Sequence, residues 1–106
     1  MGLVRATTLY LTQEESADID TQSKATVLGR ATYMRVLYMS VKDREDEILS
    51  KIDLATRTLE DSAVSTRVRL FVRMSEDEKE ELRKKAEDAG VSEGLYLRAA
   101  YLLAQE

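Results

Sequence analysis

The sequence predicts a mainly α fold carrying a two-stranded antiparallel β-ribbon, built as an intramolecular pseudo-dimer of two strand-helix-helix units. Three observations lead there. A strand, cap and helix pattern occurs twice in one ungapped register, with Ser75 standing 63 positions after Thr12. Both residues open a T/S-x-x-E capping box, closed by Glu15 and Glu78, in which hydroxyl and carboxylate each satisfy an orphan amide of the first helical turn. Residues 67–74 alternate strictly, as a strand buried on one face must.

The same register pairs Leu9 with Val72, Leu11 with Met74, Ile19 with Leu82 and Leu28 with Val91. Further on, Y-M-R-V-L-Y-M at 33–39 recurs as Y-L-R-A-A-Y-L at 96–102. In the first copy Thr7, Leu9 and Leu11 form the core face of the strand, leaving Val4, Ala6, Thr8 and Tyr10 outside. A helix follows over about 13–25, centred on Ile19, and Leu28-Gly29 connects it to a second helix over 30–41, with Gly29 as its cap. Thr32, Val36 and Met39 are the expected inward stripe of that helix.

In the second copy Val68, Leu70, Val72 and Met74 face the core, and Arg67, Arg69, Phe71 and Arg73 face out. Helices over 76–88 and 93–104 follow. Gly90 is the expected left-handed stop of the first and Ser92 the cap of the second, whose inward stripe is Leu95, Ala99 and Leu102 or Leu103. The tyrosines Tyr33, Tyr38, Tyr96 and Tyr101 read as core or interface residues rather than stacking platforms. One unit cannot bury its apolar faces alone, because a lone strand has two open edges; two units pair their strands and set four helices behind them.

Residues 42–65 have no counterpart in the repeat. Ile48, Ile52, Ala55 and Leu59 predict a helix over about 43–60, and Ser62-Ala63-Val64-Ser65-Thr66 a loop. Such a helix either connects the copies with its apolar side on the body or offers a surface for self-association or a partner protein. The chain is expected to be one domain, with repeat 1 at 3–41, the connecting helix, and repeat 2 at 66–104.

Composition narrows the function classes. The 106 residues hold no Cys and no His, which removes thiol and imidazole chemistry and nearly all side-chain zinc sites, so neither an enzyme nor a metal or other cofactor is expected. No apolar run approaches a membrane span, no signal-peptide segment opens the chain, and a cytoplasmic protein is expected. A net charge of −4 argues against bulk coating of nucleic acid. Yet residues 66–74 carry three Arg and no acid, whereas residues 75–106 carry nine acids and five bases. A basic strip on an acidic body can dock on phosphates while the body opposes indiscriminate binding. Alone, the strip also fits a solvated strand edge kept soluble by charge, although Phe71 between two Arg is harder to explain that way.

The stretch R-V-R-L-F-V-R-M-S-E-D-E-K-E-E-L-R-K-K-A-E-D-A-G-V-S-E-G-L-Y-L-R-A-A resembles the ribbon-helix-helix superfamily of Arc, MetJ and CopG. Through its G-V-S-x-x-x-Y-L-R turn and second helix it is especially similar to relaxosome accessory and MobC-like proteins of mobile plasmids. The resemblance covers residues 66–104. Residues 4–41 match more loosely, with Val27 in place of the turn Gly and Gly29 in place of the Ser. Two units in one chain resemble the tandem TraY-type conjugation proteins.

The resemblance implies double-stranded DNA binding, with the paired strands in the major groove. Arg69, Phe71 and Arg73 of one copy and Ala6, Thr8 and Tyr10 of the other would then meet base edges. Arg67, Gly29, Arg30 and Ser92 would contact phosphates, the Gly29-Arg30 side being better suited than the Ser92-Glu93 side. It also implies an accessory role in plasmid mobilisation, a relaxase or other DNA-processing partner, and self-association on DNA. Because the two halves carry different outward residues, an asymmetric site is expected rather than a palindrome. A transcriptional repressor with the same contacts, and an antitoxin-like protein-interaction module, are the competing readings.

Overall fold

The structure, a computed structural model, describes residues 5–61 and 66–106. Val4, expected on the outer face, and the expected loop residues Ser62, Ala63, Val64 and Ser65 lie outside the described residues. The element order is β1 (Arg5–Leu11), α1 (Gln13–Thr26), α2 (Arg30–Val41), α3 (Glu45–Glu60), β2 (Val68–Met74), α4 (Glu76–Ala89) and α5 (Glu93–Ala104). β2, α4 and α5 each begin and end 63 positions after β1, α1 and α2.

The two strands form one antiparallel sheet with Thr8 opposite Phe71 at its middle. Those two residues are themselves counterparts at the repeat offset, so the pairing is centred on equivalent positions. One face packs on helices: β1 lies against α5 and β2 against α2. Each strand therefore rests on a helix that lies far from it in the chain. The core is a single cluster in which counterparts are buried alike, Leu9 with Val72, Leu11 with Met74, Ile19 with Leu82, Met34 with Leu97 and Tyr38 with Tyr101.

The expected capping boxes start α1 and α4. The Thr12 hydroxyl accepts from the Glu15 amide at 3.2 Å while the Thr12 amide donates to Glu15 at 2.9 Å, and Ser75 and Glu78 repeat both distances. Gly90 ends α4 in the left-handed region (φ 72), where a missing Cβ removes the steric penalty. Val27 takes the same conformation (φ 62) at the end of α1, a poor position for a β-branched residue, and its side chain is 92% exposed.

The inward stripe of α2 is not the expected one. Thr32 and Val36 are exposed and Met39 is half-buried, while Met34, Tyr38 and Val41 reach the core. Their i, i+4, i+7 spacing offers larger side chains to the strand layer than the Thr32 face, about 160° round the helix, could. In α5, by contrast, residues 96–101 are all buried, because α3 covers its far side. α3 thus packs its apolar side on the body, with Ile48 and Ala55 fully buried and Ile52 and Leu59 half-buried.

Under α3 sits Arg98, 0% exposed. Its Nε and Nη2 donate to Glu15 at 3.1 and 2.7 Å, Nη2 also to the Thr58 hydroxyl at 2.8 Å, and Nη1 to the Ala55 carbonyl. One guanidinium therefore joins α5, α3 and the capping box of α1. At the repeat-related place Arg35 Nε donates to Glu78 at 3.2 Å and Nη2 to its second oxygen, but this pair is more open to solvent, the Arg35 side chain being 39% exposed. Burial alone would raise the Glu78 pKa; the Ser75 amide and Arg35 outweigh it and hold the carboxyl below its usual range. Nearby, Tyr101 donates to Asp18 at 2.6 Å, and burial together with that carboxylate pushes the phenol pKa up.

Arg98→Ala should cost about 3–5 kcal/mol in urea unfolding, since it strands the Glu15 carboxylate in a covered site. Arg35→Ala, losing a solvent-screened pair, should cost about 1 kcal/mol. Val27→Gly should stabilise the chain by about 1 kcal/mol in the same assay by relieving the left-handed backbone.

Candidate nucleic-acid interface

The strand alternation that buries Leu9, Leu11, Leu70, Val72 and Met74 forces the intervening side chains onto the opposite face, away from the core. Three cross-strand pairs lie there in a row: Tyr10 opposite Arg69, Thr8 opposite Phe71, and Ala6 opposite Arg73. All six residues singled out in the sequence as base readers are thus on one surface. Ala6, Arg69 and Arg73 are exposed, Tyr10 and Phe71 are 44% and 53% exposed, and Thr8 is half-buried.

Among the described residues neither Arg69 nor Arg73 makes an ion pair. The Arg69 guanidinium lies 5.9 Å from the Phe71 ring centre, within cation–π range, which holds its planar fork beside the apolar ring. Positive charge and an exposed aromatic side chain are therefore presented together, with the charge not neutralised by a neighbouring carboxylate.

The four residues expected on phosphates are placed differently from one another. Arg67 precedes β2, is half-buried, and donates from Nη2 to the Leu59 carbonyl at 2.9 Å, which ties the start of the strand to the end of α3. Gly29 caps α2 with no side-chain hydrogen bond to its first-turn amides, and Arg30 donates from Nη1 to the Ser16 hydroxyl at 3.3 Å. Ser92 caps α5 and accepts from the Leu95 amide at 3.1 Å. Beside it Glu93 pairs with Lys79, and the Lys79 ammonium donates to the Thr7 hydroxyl at 2.7 Å. The first turn of α5 is thus acidic and internally bonded, whereas that of α2 holds no acid.

Sequence reasoning missed Gly94. A Cβ there would stand 2.3 Å from the Thr8 carbonyl oxygen, so only glycine lets the start of α5 pass this close beneath the ribbon. The available signal was a glycine in the first turn of a helix otherwise made of good helix formers.

The family described as NikA-like, mobilization protein NikA, matches residues 65–105, the stretch that holds β2, α4 and α5. No curated protein and no solved structure matches the chain. No helix among the described residues is long and apolar enough to cross a membrane.

Gly94→Ala should cost about 1–3 kcal/mol, because the clash is with backbone and cannot be relieved by a rotamer change. Amide resonances of residues 8–10 should shift in its heteronuclear NMR spectrum.

Proposed function

We propose that the chain is a sequence-specific duplex-DNA-binding protein that inserts its β-ribbon into the major groove, as an accessory factor of plasmid mobilisation. The observation that carries the proposal is the outward row of Arg69, Phe71, Arg73, Ala6, Thr8 and Tyr10, with two arginines free of ion pairs among the described residues. A two-stranded ribbon fits the major groove, where each base pair has its own donor and acceptor pattern and an arginine can fork onto guanine O6 and N7. The chain's net charge of −4, ribbon included, then penalises binding anywhere the ribbon finds no matching edges.

In this reading residues 5–41 and 68–104 are two ribbon-helix-helix units acting as a pseudo-dimer. The repeat offset shared by every strand, cap and helix supports it, as does a pairing centred on Thr8 and Phe71. The Gly29-Arg30 end of α2 meets a phosphate through its free amides, and Ser92 and Arg67 contribute on the other flank. The role in mobilisation, with DNA and a relaxase or other DNA-processing protein as partners, is supported by the match over residues 65–105. The protein works in the cytoplasm without a cofactor.

The test is a duplex-binding titration at several salt concentrations. Arg69→Ala and Arg73→Ala should each lower specific affinity roughly 10- to 100-fold, with the melting temperature within about 4 °C of wild type. Arg30→Ala should weaken binding to all sequences alike and reduce the salt slope by about one. Parallel loss of folding in the two ribbon variants would make these arginines structural and defeat the proposal.

A further inference from the structure

We infer that the ribbon reads the two DNA strands unequally: β2 addresses one strand through Arg73, Phe71 and Arg69, with Phe71 on the methyl group of a thymine between two guanines. The inference rests on the reading of the ribbon as a major-groove element. Each strand has seven residues and is about 24 Å long. The groove is about 12 Å wide, so the ribbon can only lie along it. β1 and β2 then run side by side down the groove, each nearer one DNA strand.

The outward residues of the two strands differ in kind. Arg69 and Arg73 have Ala6 and Tyr10 as repeat counterparts, and neither of these carries a guanidinium fork. Among the described side chains, the guanidinium groups on the face all belong to β2. Arg69 and Arg73 are four residues apart, about 13 Å of extended chain, which spans about four base pairs at 3.4 Å per step. Phe71 lies midway, opposite Thr8 at the centre of the pairing.

A phenyl ring offers no donor or acceptor, and the thymine methyl is the apolar group that base edges present in this groove. With 53% of its surface in water, Phe71 has apolar area left to bury there. Arg69, its guanidinium 5.9 Å from the ring centre, flanks the ring on one side. The preferred site therefore has two guanines on one strand, about four base pairs apart, with a thymine between them on that strand.

The test uses the full chain. Duplexes selected from a random pool should carry this one-strand pattern. In the recovered site, replacing the central thymine by deoxyuridine removes only the methyl group and should weaken wild-type binding about fourfold, read by fluorescence anisotropy. Phe71→Ala should bind the thymine and deoxyuridine duplexes equally, and Arg69→Ala and Arg73→Ala should each relax selection at one guanine. Guanines related by a dyad on opposite strands, a centre without thymine, or wild-type indifference to deoxyuridine would each overturn the inference while leaving DNA reading in place. Recovery of no sequence preference would overturn both.

Discussion

Seven residues of β1 find their cross-strand partners in β2, and the rest of the molecule is arranged around that ladder. A lone strand in water would leave two rows of unpaired amides and carbonyls, and its apolar side would have no second layer to meet. Pairing removes one row from each strand and builds a two-strand surface wide enough for α2 and α5 to pack beneath. Since β1 sits on α5 and β2 on α2, the ribbon cannot form in one half of the chain alone. The outward row is a by-product of this constraint: with a period of two, burying Leu9 and Val72 obliges Thr8, Tyr10, Phe71 and Arg73 to face away from the helices.

Behind the ribbon, two Arg–Glu pairs occupy equivalent places in different settings. Glu15 and Glu78 each close a capping box and at the same time accept from an arginine of a sequence-distant helix, Arg98 of α5 and Arg35 of α2. The helix start and a long-range ion pair thus share one carboxylate, which couples local to long-range structure. α3 breaks the equivalence. It covers Arg98 and supplies the Ala55 carbonyl and Thr58 hydroxyl to it, so that a buried charge is bonded on all sides, while Arg35 stays open to solvent. The same asymmetry leaves Val36 of α2 exposed where Ala99 of α5 is buried.

Local patterns made much of this legible from the residues. Alternation over 67–74 placed Arg69, Phe71 and Arg73 on the outer face, and the capping boxes at Thr12 and Ser75 fixed the helix starts, because both signals act over a few residues. The face of α2 was misread since Y-M-R-V-L-Y-M is apolar nearly all round, and the choice between Val36 and Tyr38 depends on what the strand layer can accommodate. Arg98 with Glu15, and Gly94 beneath Thr8, join distant parts of the chain and leave no local trace. Arg67 looked like one more outward arginine, yet its position just before β2 brings it to the Leu59 carbonyl.

Because α1, α2 and α3 join β1 to β2 in one polypeptide, the ribbon closes by an intramolecular event. Two-chain assemblies come apart on dilution, as mass action requires, whereas here the ladder survives at any protein concentration at which the chain itself stays folded. Separate encoding has a genetic corollary. In a homodimer one codon change alters both strands at once, but here a mutation in the codon for Thr8 leaves Phe71 untouched, and each half of the outer surface is free to vary on its own.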